Sequence, residues 1–413
     1  MGEWKEIKLG EIADLIMGQS PDGKYYNSEG NGMPFLQGCS EFGKHHPETT
    51  VFSTVIKKLA PENSILFSVR APVGKTNLAN KKYCIGRGIA AIKGKDVDNS
   101  FLNHAIYFRS INGGFISQGS TFDSINHSEL SKLEILLPLE KIEQTTIANI
   151  LTTIDQAIEK TEQLIAKYER IKTGLMQDLL TCGIDEQGNI RSEETHEFKD
   201  SVLGRIPVEW EVITLKNVCE KIQDGTHFSP EISEVGEFMY ITSKNIRMGE
   251  LDLKNVDFIT RDAHESIYRR CSVGFGDVLL TKDGANTGNV CINTIKEPIS
   301  LLSSVAFLRG KKDYLRNDFL FQTLACEKLQ KTFKDQMSGN AITRTTLTKI
   351  KATQVAIPKI IEQERIISIL EKFDSNLSKE KGNLLMYKST KTALMQDLLT
   401  GKVRVDALIT HSK

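Results

Sequence analysis

Leu175-Met-Gln-Asp-Leu-Leu-Thr181 decides the reading of this chain, because residues 394–400 read Leu-Met-Gln-Asp-Leu-Leu-Thr again. The match runs backwards from both copies. At an offset of 219, 17 of the 39 positions in 143–181 are identical to those in 362–400. An internal repeat of this size means two copies of one structural unit, and its period is far too long for a solenoid, which repeats every ~20–50 residues. A chain duplicated in this way suits a target that also comes in two parts.

Each copy of the motif closes a run with helical periodicity. In the first run the apolar positions are Ile147, Leu151, Ile154, Ile158, Ile165, Tyr168, Leu175 and Leu179. Their steps of four and three are those of a heptad seam. The second run keeps the register with Ile366, Leu370, Phe373, Leu377, Leu384, Tyr387, Leu394 and Leu398, and its breaks recur, Thr161 matching Glu380 and Lys172 matching Lys391. At ~1.5 Å per residue each helix is a rod of roughly 50 Å. So narrow a stripe needs a partner. The expected partner is the other copy, packed antiparallel with a mixed domain at either end; the alternative is that each helix lies on its own domain.

Ahead of each helix stands a mixed region. Both open on a tryptophan, Trp4-Lys-Glu-Ile-Lys-Leu9 matching Trp210-Glu-Val-Ile-Thr-Leu215. Short β-branched and aromatic runs follow, such as Ser64–Val69 and Asp277–Thr281, separated by Gly, Asn and Pro, and these predict strands. One helix is predicted per copy, near 100–111 and near 317–334, with Phe101-Leu102 matching Phe319-Leu320. Each region closes with a glycine turn, a strand and a proline, Gly119 to Pro138 and Gly339 to Pro358. Residues 182–206 form a polar, acidic, glycine-containing linker that ends at Ile206-Pro207. The expected fold class is α/β in the α+β sense: mixed domains over 1–139 and 207–359, a central helix over 140–181, and a C-terminal helix with its tail over 360–413, the two helices forming an antiparallel coiled coil.

With 413 residues, 39% apolar and 26% charged, each half is long enough to bury a core of its own. No apolar stretch is long enough to span a membrane. Met1-Gly2-Glu3-Trp4-Lys5 lacks the basic-then-apolar pattern of a secretion signal, so a cytoplasmic location is expected. The seven cysteines are scattered without a Cys-x-x-Cys pair and predict reduced, mostly buried thiols. His45-His46 has no cysteine at ligand spacing, and no metal site is expected. Net charge is zero. Its distribution is uneven: residues 57–95 carry nine basic residues against Glu62, and 309–351 carry ten against four acids. One such window per half suggests a phosphate-facing patch in each; a solvated surface is the alternative.

Motifs of catalysis are missing. Gly74-Lys75-Thr76 is half a phosphate loop, but Val69 stands where its first glycine would be. Gly86-Arg87-Gly88 does not continue to a third glycine. There is no Pro-Pro pair for an amino-methyltransferase motif and no Gly-x-Ser-x-Gly. Glu3-x-Lys5 and Glu6-x-Lys8 look like the tail of a nuclease signature without an upstream aspartate. The pattern is that of a scaffold and reader without catalysis of its own.

Taken together the residues resemble the specificity subunits of type I restriction–modification systems. The carriers are the doubled Leu-Met-Gln-Asp-Leu-Leu-Thr and the Gly401-Lys-Val-Arg-Val405 after its second copy. The helix entries Pro138…Glu143-Gln144 and Pro358…Glu362-Gln363 and the linker Phe198–Trp210 are others. The resemblance implies two target-recognition domains, each reading one half of a split double-stranded DNA sequence, with the helix pair as spacer. It also implies two methyltransferase (modification) subunits docked on the helices, and restriction (motor–nuclease) subunits in the full complex. S-adenosylmethionine, ATP and Mg are expected on those partners and no cofactor on this chain. The first helix entry is one residue longer than the second, which implies slightly different domain angles.

For such a reader, basic side chains position the protein on phosphates and a few polar ones read base edges. The expected DNA-facing loop residues of the first domain are Gln19, Ser20, Gln37, Ser40, Arg70, Lys75, Arg87, Ser120 and Thr121. In the second they are Gln223, Thr226, His227, Lys244, Asn245, Arg247, Lys282, Asn286 and Arg344. Any one of them is equally an ordinary loop side chain; the expectation concerns the group. Two other readings stand beside this one: a self-sufficient DNA methyltransferase or nuclease, and a coiled-coil adaptor that never touches DNA.

Overall fold

The computed structural model describes residues 3–113, 116–117, 120–121, 124–335, 344–405 and 408. The chain divides into two compact units: 1–163 with 381–413, and 164–380. Two long helices, a central one over Lys141–Thr181 and a terminal one over Ile360–Leu398, contribute a segment to each unit.

The first unit is built on a four-stranded antiparallel sheet in the order β1 (Ala13–Met17), β4 (Ile89–Gly94), β2 (Ile65–Ser68) and β3 (Thr76–Leu78). Strand β2 is buried throughout, with Ile65, Leu66 and Phe67 in succession, because both its faces are covered. Alternate side chains go to opposite sides. Ile65, Phe67, Ala90 and Ile92 join one core with helix α1 (Asn99–Ile111) and with Ile147 and Leu151 of the central helix. Leu66, Ile89 and Ala91 join a second core with Leu36, Tyr83 and Ile85 of a smaller five-stranded sheet. Trp4–Lys8 pairs antiparallel with Glu134–Pro138 and leads into the central helix.

The second unit repeats this plan. Its four-stranded sheet runs β5 (Cys219–Asp224), β8 (Val305–Gly310), β6 (Val278–Thr281) and β7 (Val290–Ile292). Val278, Leu280, Ala306 and Leu308 face a core shared with Phe319, Ile366 and Leu370, while Leu279, Val305 and Phe307 face a core under a three-stranded sheet. Glu211–Thr214 pairs with Gln354–Ile357 as its counterpart does in the first unit. The single helix expected near 317–334 is two, α2 (Asn317–Ala325) and α3 (Glu327–Asp335), because Cys326 between them is extended at ψ 147°.

The heptad seam is real and does two jobs. All sixteen seam residues are buried or half-buried. Near the helix starts they pack into the domain cores as well, Ile147 and Leu151 in one and Ile366 and Leu370 in the other. Elsewhere the helices meet each other antiparallel: Tyr168 stands edge-on to Phe373 with ring centres 6.4 Å apart. Both readings of the stripe hold, each over part of its length. Of the two matched breaks, the one at Lys172 and Lys391 consists of ion pairs, while the Thr161 hydroxyl donates to Ala157 O at 2.8 Å within its own helix. Lys172 bonds Asp374 in the second unit, and its repeat equivalent Lys391 bonds Asp155 at 2.6 Å in the first. Polar residues inside a seam fix its register.

The linker is structured too. Phe198–Lys199 pairs with Ile206–Pro207, and Ile184 bridges Ile190. The seven cysteines are free, and burial pushes the thiols of Cys219, Cys271 and Cys291 up to about 12. Among the described residues no helix is long and apolar enough to cross a membrane.

Candidate nucleic-acid interface

In each unit one end of the four-stranded sheet gathers the polar loops. Strand β1 ends there, β4 begins, β2 ends and β3 begins, because neighbouring strands are antiparallel. The parallel pair Met33–Leu36 and Tyr83–Ile85 ends at the same edge, where Gln19 N donates to Ile85 O at 2.9 Å. This topology brings Gln19, Ser20, Gln37, Arg70, Lys75 and Arg87 into neighbouring turns. Ser20 Oγ donates to Gln37 Oε1 at 3.0 Å, and Arg87 N donates to Ser20 Oγ at 3.2 Å. Val69 N donates to Gly88 O at 3.0 Å, which sets the Arg70 turn beside the Arg87 turn. A Cβ on Gly88 would stand 2.6 Å from Gln37 O, so only glycine lets these loops close. Gln19, Gln37, Arg70, Lys75 and Arg87 are exposed.

Other expected residues of the first unit are placed less freely. Ser40 is exposed, but its hydroxyl donates to Glu41 Oε1 at 2.9 Å. Ser120 and Thr121 form a strand pairing with Ile116–Ser117, close in sequence to Ser124, which bridges Arg70. Gly119 and Gly339, the expected turn glycines, lie outside the described residues.

The second unit repeats the edge with other side chains. Strand β5 ends at Asp224, β6 at Thr281, and the parallel pair Phe238–Ile241 and Ser300–Leu301 ends beside them. His227 is exposed, with Nε2 3.5 Å from Asp224 Oδ2. Arg344 Nε lies 3.1 Å from Asp283 Oδ1. Lys244 reaches Asp257 at 2.7 Å and Arg247 reaches Asp252 at 3.7 Å, both on exposed turns. Gln223 and Asn286 are half-buried, Asn286 Nδ2 donating to Ser243 O at 3.2 Å. Thr226 is buried and its hydroxyl accepts from Phe228 N at 3.2 Å, which shapes the His227 turn.

Two expected contacts are corrected. Asn245 is 2% exposed; its Oδ1 accepts from Thr242 N at 3.0 Å and its Nδ2 donates to Asp252 O at 3.1 Å. It builds its own turn and has no free group for a base. Lys282 is 2% exposed and sits between Asp224 and Asp283 at 3.4 and 3.2 Å. The basic windows are corrected as well, since neither is one patch. Lys93 stands at the far end of β4 from Ile89, and Lys95 beyond it pairs with Asp14 at 3.4 Å. Arg309 is held bidentate by Asp277, at 2.6 and 2.8 Å, and Arg316 by Asp318.

A second constellation lies where the helices begin. Glu143, 1% exposed, accepts from Trp4 Nε1 at 3.3 Å and is gripped by Arg404 at 2.7 and 2.8 Å. Glu362 accepts from Trp210 Nε1 at 3.3 Å and is gripped by Arg191 at 2.5 and 3.2 Å. In both units the tryptophan precedes the mixed domain, the glutamate opens one long helix, and the arginine follows the end of the other. The adjacent glutamines repeat in kind. Gln144 Nε2 donates to Pro138 O at 2.8 Å and its Oε1 accepts from Asp98 N at 2.8 Å. Gln363 does the same with Pro358 O at 2.9 Å and Arg316 N at 3.0 Å. The arginines were not foreseen; the only sequence signal was Gly401-Lys-Val-Arg404, which the Gly183–Arg191 segment does not match in spacing. Arg270, half-exposed at the edge of the second unit, was also missed.

Comparisons with known proteins agree with this architecture. The model of the type I restriction modification DNA specificity domain matches residues 1–170 and 207–386. The chain is 39% identical over 184 residues to a putative type I restriction enzyme MjaX specificity subunit of Methanocaldococcus jannaschii, a match spanning 43% of either chain. It is 24% identical over 416 residues to the MjaVIII specificity subunit of the same organism, covering 98% of this chain and 94% of that one. A crystal structure of a type I restriction–modification S subunit from M. genitalium shares the fold at TM-score 0.60 over 96% of both chains, with 18% identity. The chain belongs to the type I restriction–modification DNA specificity family, as a specificity subunit that carries this domain twice.

Proposed function

We propose that the strand-end edge of each unit reads one half of a bipartite duplex target, and that the helix pair sets the unread spacer between the halves. The observation that carries this is the recurrence of one polar edge on one topology with different side chains in the two copies. Arg70, Lys75 and Arg87 in the first unit and Arg270 and Arg344 in the second meet phosphates or guanine edges. Gln19 and Gln37 have the amide geometry that pairs with adenine. The chain itself is non-catalytic and acts in the cytoplasm. Two methyltransferase subunits dock on the helices, and restriction subunits complete the complex; S-adenosylmethionine, ATP and Mg belong to those partners. What supports two-fold docking is that each copy of the doubled motif lines a groove of its own. Met176 and Leu180 face Cys326 and Val355 in the second unit; Leu399 faces Phe108 and Leu136 in the first.

The test is selection from a randomised duplex library by the full chain co-expressed with its methyltransferase subunits, followed by mapping of methylated adenines. The expected result is two specified blocks separated by a fixed unspecified gap. One continuous block overturns the bipartite reading. Methyl transfer by the purified chain alone overturns the non-catalytic one.

A further inference from the structure

The two edges share a backbone pattern but differ in chemistry at matched places. Gly18 N and Gly225 N donate to Ile89 O and Val305 O; Val69 N and Lys282 N donate to Gly88 O and Ser304 O; Ile125 N and Thr345 N donate to Val69 O and Lys282 O. These bonds put Met17 in register with Asp224 and Val69 with Lys282, as the strand pairings Ala90 with Met17 and Ala306 with Asp224 also do. In the first unit Val69 is buried in the apolar core and Met17, partly buried, packs against that core. In the second, Asp224 and Lys282 are 3% and 2% exposed, with Lys282 Nζ 3.4 Å from Asp224 Oδ2. One step further out, Arg70 bridging Ser124 is replaced by Asp283 bridging Arg344.

An enclosed ion pair is poor evidence of stabilisation, because desolvation of both ions offsets their attraction and well-packed apolar residues do as well or better. Met17 and Val69 show that this backbone accepts the apolar solution. The ion pair therefore needs another reason, and its connections supply one. Asp224 also faces His227 Nε2 and Arg270 Nη1, each at 3.5 Å, and its main-chain oxygen accepts from Arg270 Nη2 at 3.3 Å. Asp283 faces Lys282 on one side and Arg344 on the other. Lys282 lies between two carboxylates, and each carboxylate faces an exposed arginine, Arg270 at 50% for Asp224 and Arg344 at 57% for Asp283. We propose that Asp224 and Lys282 are positioning residues that determine the specificity of the second unit. They hold Arg270, His227 and Arg344 in a fixed array facing the DNA half-site. This rests on the DNA-reading function proposed above.

Removing Lys282 alone would strand a buried carboxylate, so the test exchanges both partners for the residues of the first unit, Asp224→Met with Lys282→Val. The full chain with its methyltransferase subunits is presented with a randomised duplex library. The expected result is that one of the two selected blocks loses its sequence preference, enrichment of its best sequence falling at least tenfold. The other block and the thermal midpoint are retained. Arg344→Gln, a surface change, weakens the same block without disturbing the fold and gives a reading if the double variant does not fold. Unchanged preference in both blocks for the folded double variant, or for Arg344→Gln should the double variant not fold, overturns the proposal alone. A wild-type complex that selects no two-block motif overturns the reading beneath it and the proposal together.

Discussion

A carboxylate in the first turn of a helix is ordinarily a solvated partner of the helix dipole. Glu143 and Glu362 are instead the enclosed centres of a Trp–Glu–Arg clasp. Taking away one charge of an enclosed pair leaves the other unpaired and costs about 3–5 kcal/mol. Glu362→Gln is expected to cost more than Glu143→Gln, because the side chain it strands, Arg191, is 9% exposed against 25% for Arg404. Urea unfolding followed by tryptophan emission measures both; equal and negligible losses would show the clasps to be incidental. Gly183 completes the second clasp. Its φ is +65°, and a Cβ there would lie 2.2 Å from Glu362 Oε1 and 2.6 Å from the Trp210 ring. Gly183→Ala combines a left-handed penalty of about 1 kcal/mol with overpacking of ~1–3 kcal/mol. Gly401→Ala, where the nearest atom is 3.1 Å away, is expected to lower the thermal midpoint less. His104 adds a pH dependence. Burial outweighs its neighbouring charges and lowers its pKa from 6.5 to about 4. Between those values the unfolded chain binds the proton that the folded one refuses, so stability is complete above pH ~6.5 and falls as pH drops towards ~4. The loss is roughly 3 kcal/mol. Unfolding of a His104→Gln variant at pH 7 and 4.5 should show a shallower acid slope; an identical slope would exclude His104 as its source.

The strand and the helix are the scale at which sequence and structure agree best. Heptad spacing survives in the sequence because a helix converts it directly into a face, and the sixteen residues of the stripe are buried or half-buried. The fully buried strands Ile65–Ser68 and Val278–Thr281 announce themselves in the same way by three successive apolar residues each, since both faces are covered. The loop edge was legible only in part. Gln19, Arg70 and Arg87 are exposed at the sheet's end because a polar residue just past a strand end has nowhere to go but the rim. Asn245 and Lys282 look the same in sequence, yet one amide is consumed by its own turn and one ammonium by two carboxylates. No local pattern records that Asp224 and Lys282, far apart in the chain, come within 3.4 Å. Arg191 was invisible for the same reason: its partner Glu362 lies on another element. The arginines at the edge can be tested as phosphate contacts. Arg70→Gln and Arg87→Gln should each reduce the slope of log affinity against log salt by ~0.9 and weaken all sequences alike. Titration of duplex at several salt concentrations measures this, and an unchanged slope would assign these side chains to base reading or to none.

At the scale of the whole chain, the repeat turns a local packing rule into a length. Each unit locks its share of the helix pair with an equivalent ion pair, Asp155 with Lys391 in one and Lys172 with Asp374 in the other. The stretches between these locks are free to change in length provided the seam stays in phase. One inserted heptad adds about 10 Å of helix and returns the apolar stripe to the same face. Placed after Gln163 and after Glu380, where the chain passes from one unit to the other, a heptad in each helix leaves both ion pairs and both domain cores intact. The expected consequence is a bipartite target whose two blocks keep their bases while the unread spacer widens by roughly 1–3 base pairs, at ~3.4 Å of duplex per pair. A heptad in one helix alone brings the two units into conflict and should cost binding to every spacer. Mapping methylated adenines in cells that express each variant with its partner subunits separates the outcomes. If the doubly extended chain stays active on the original spacing, the helix pair is not what measures the DNA.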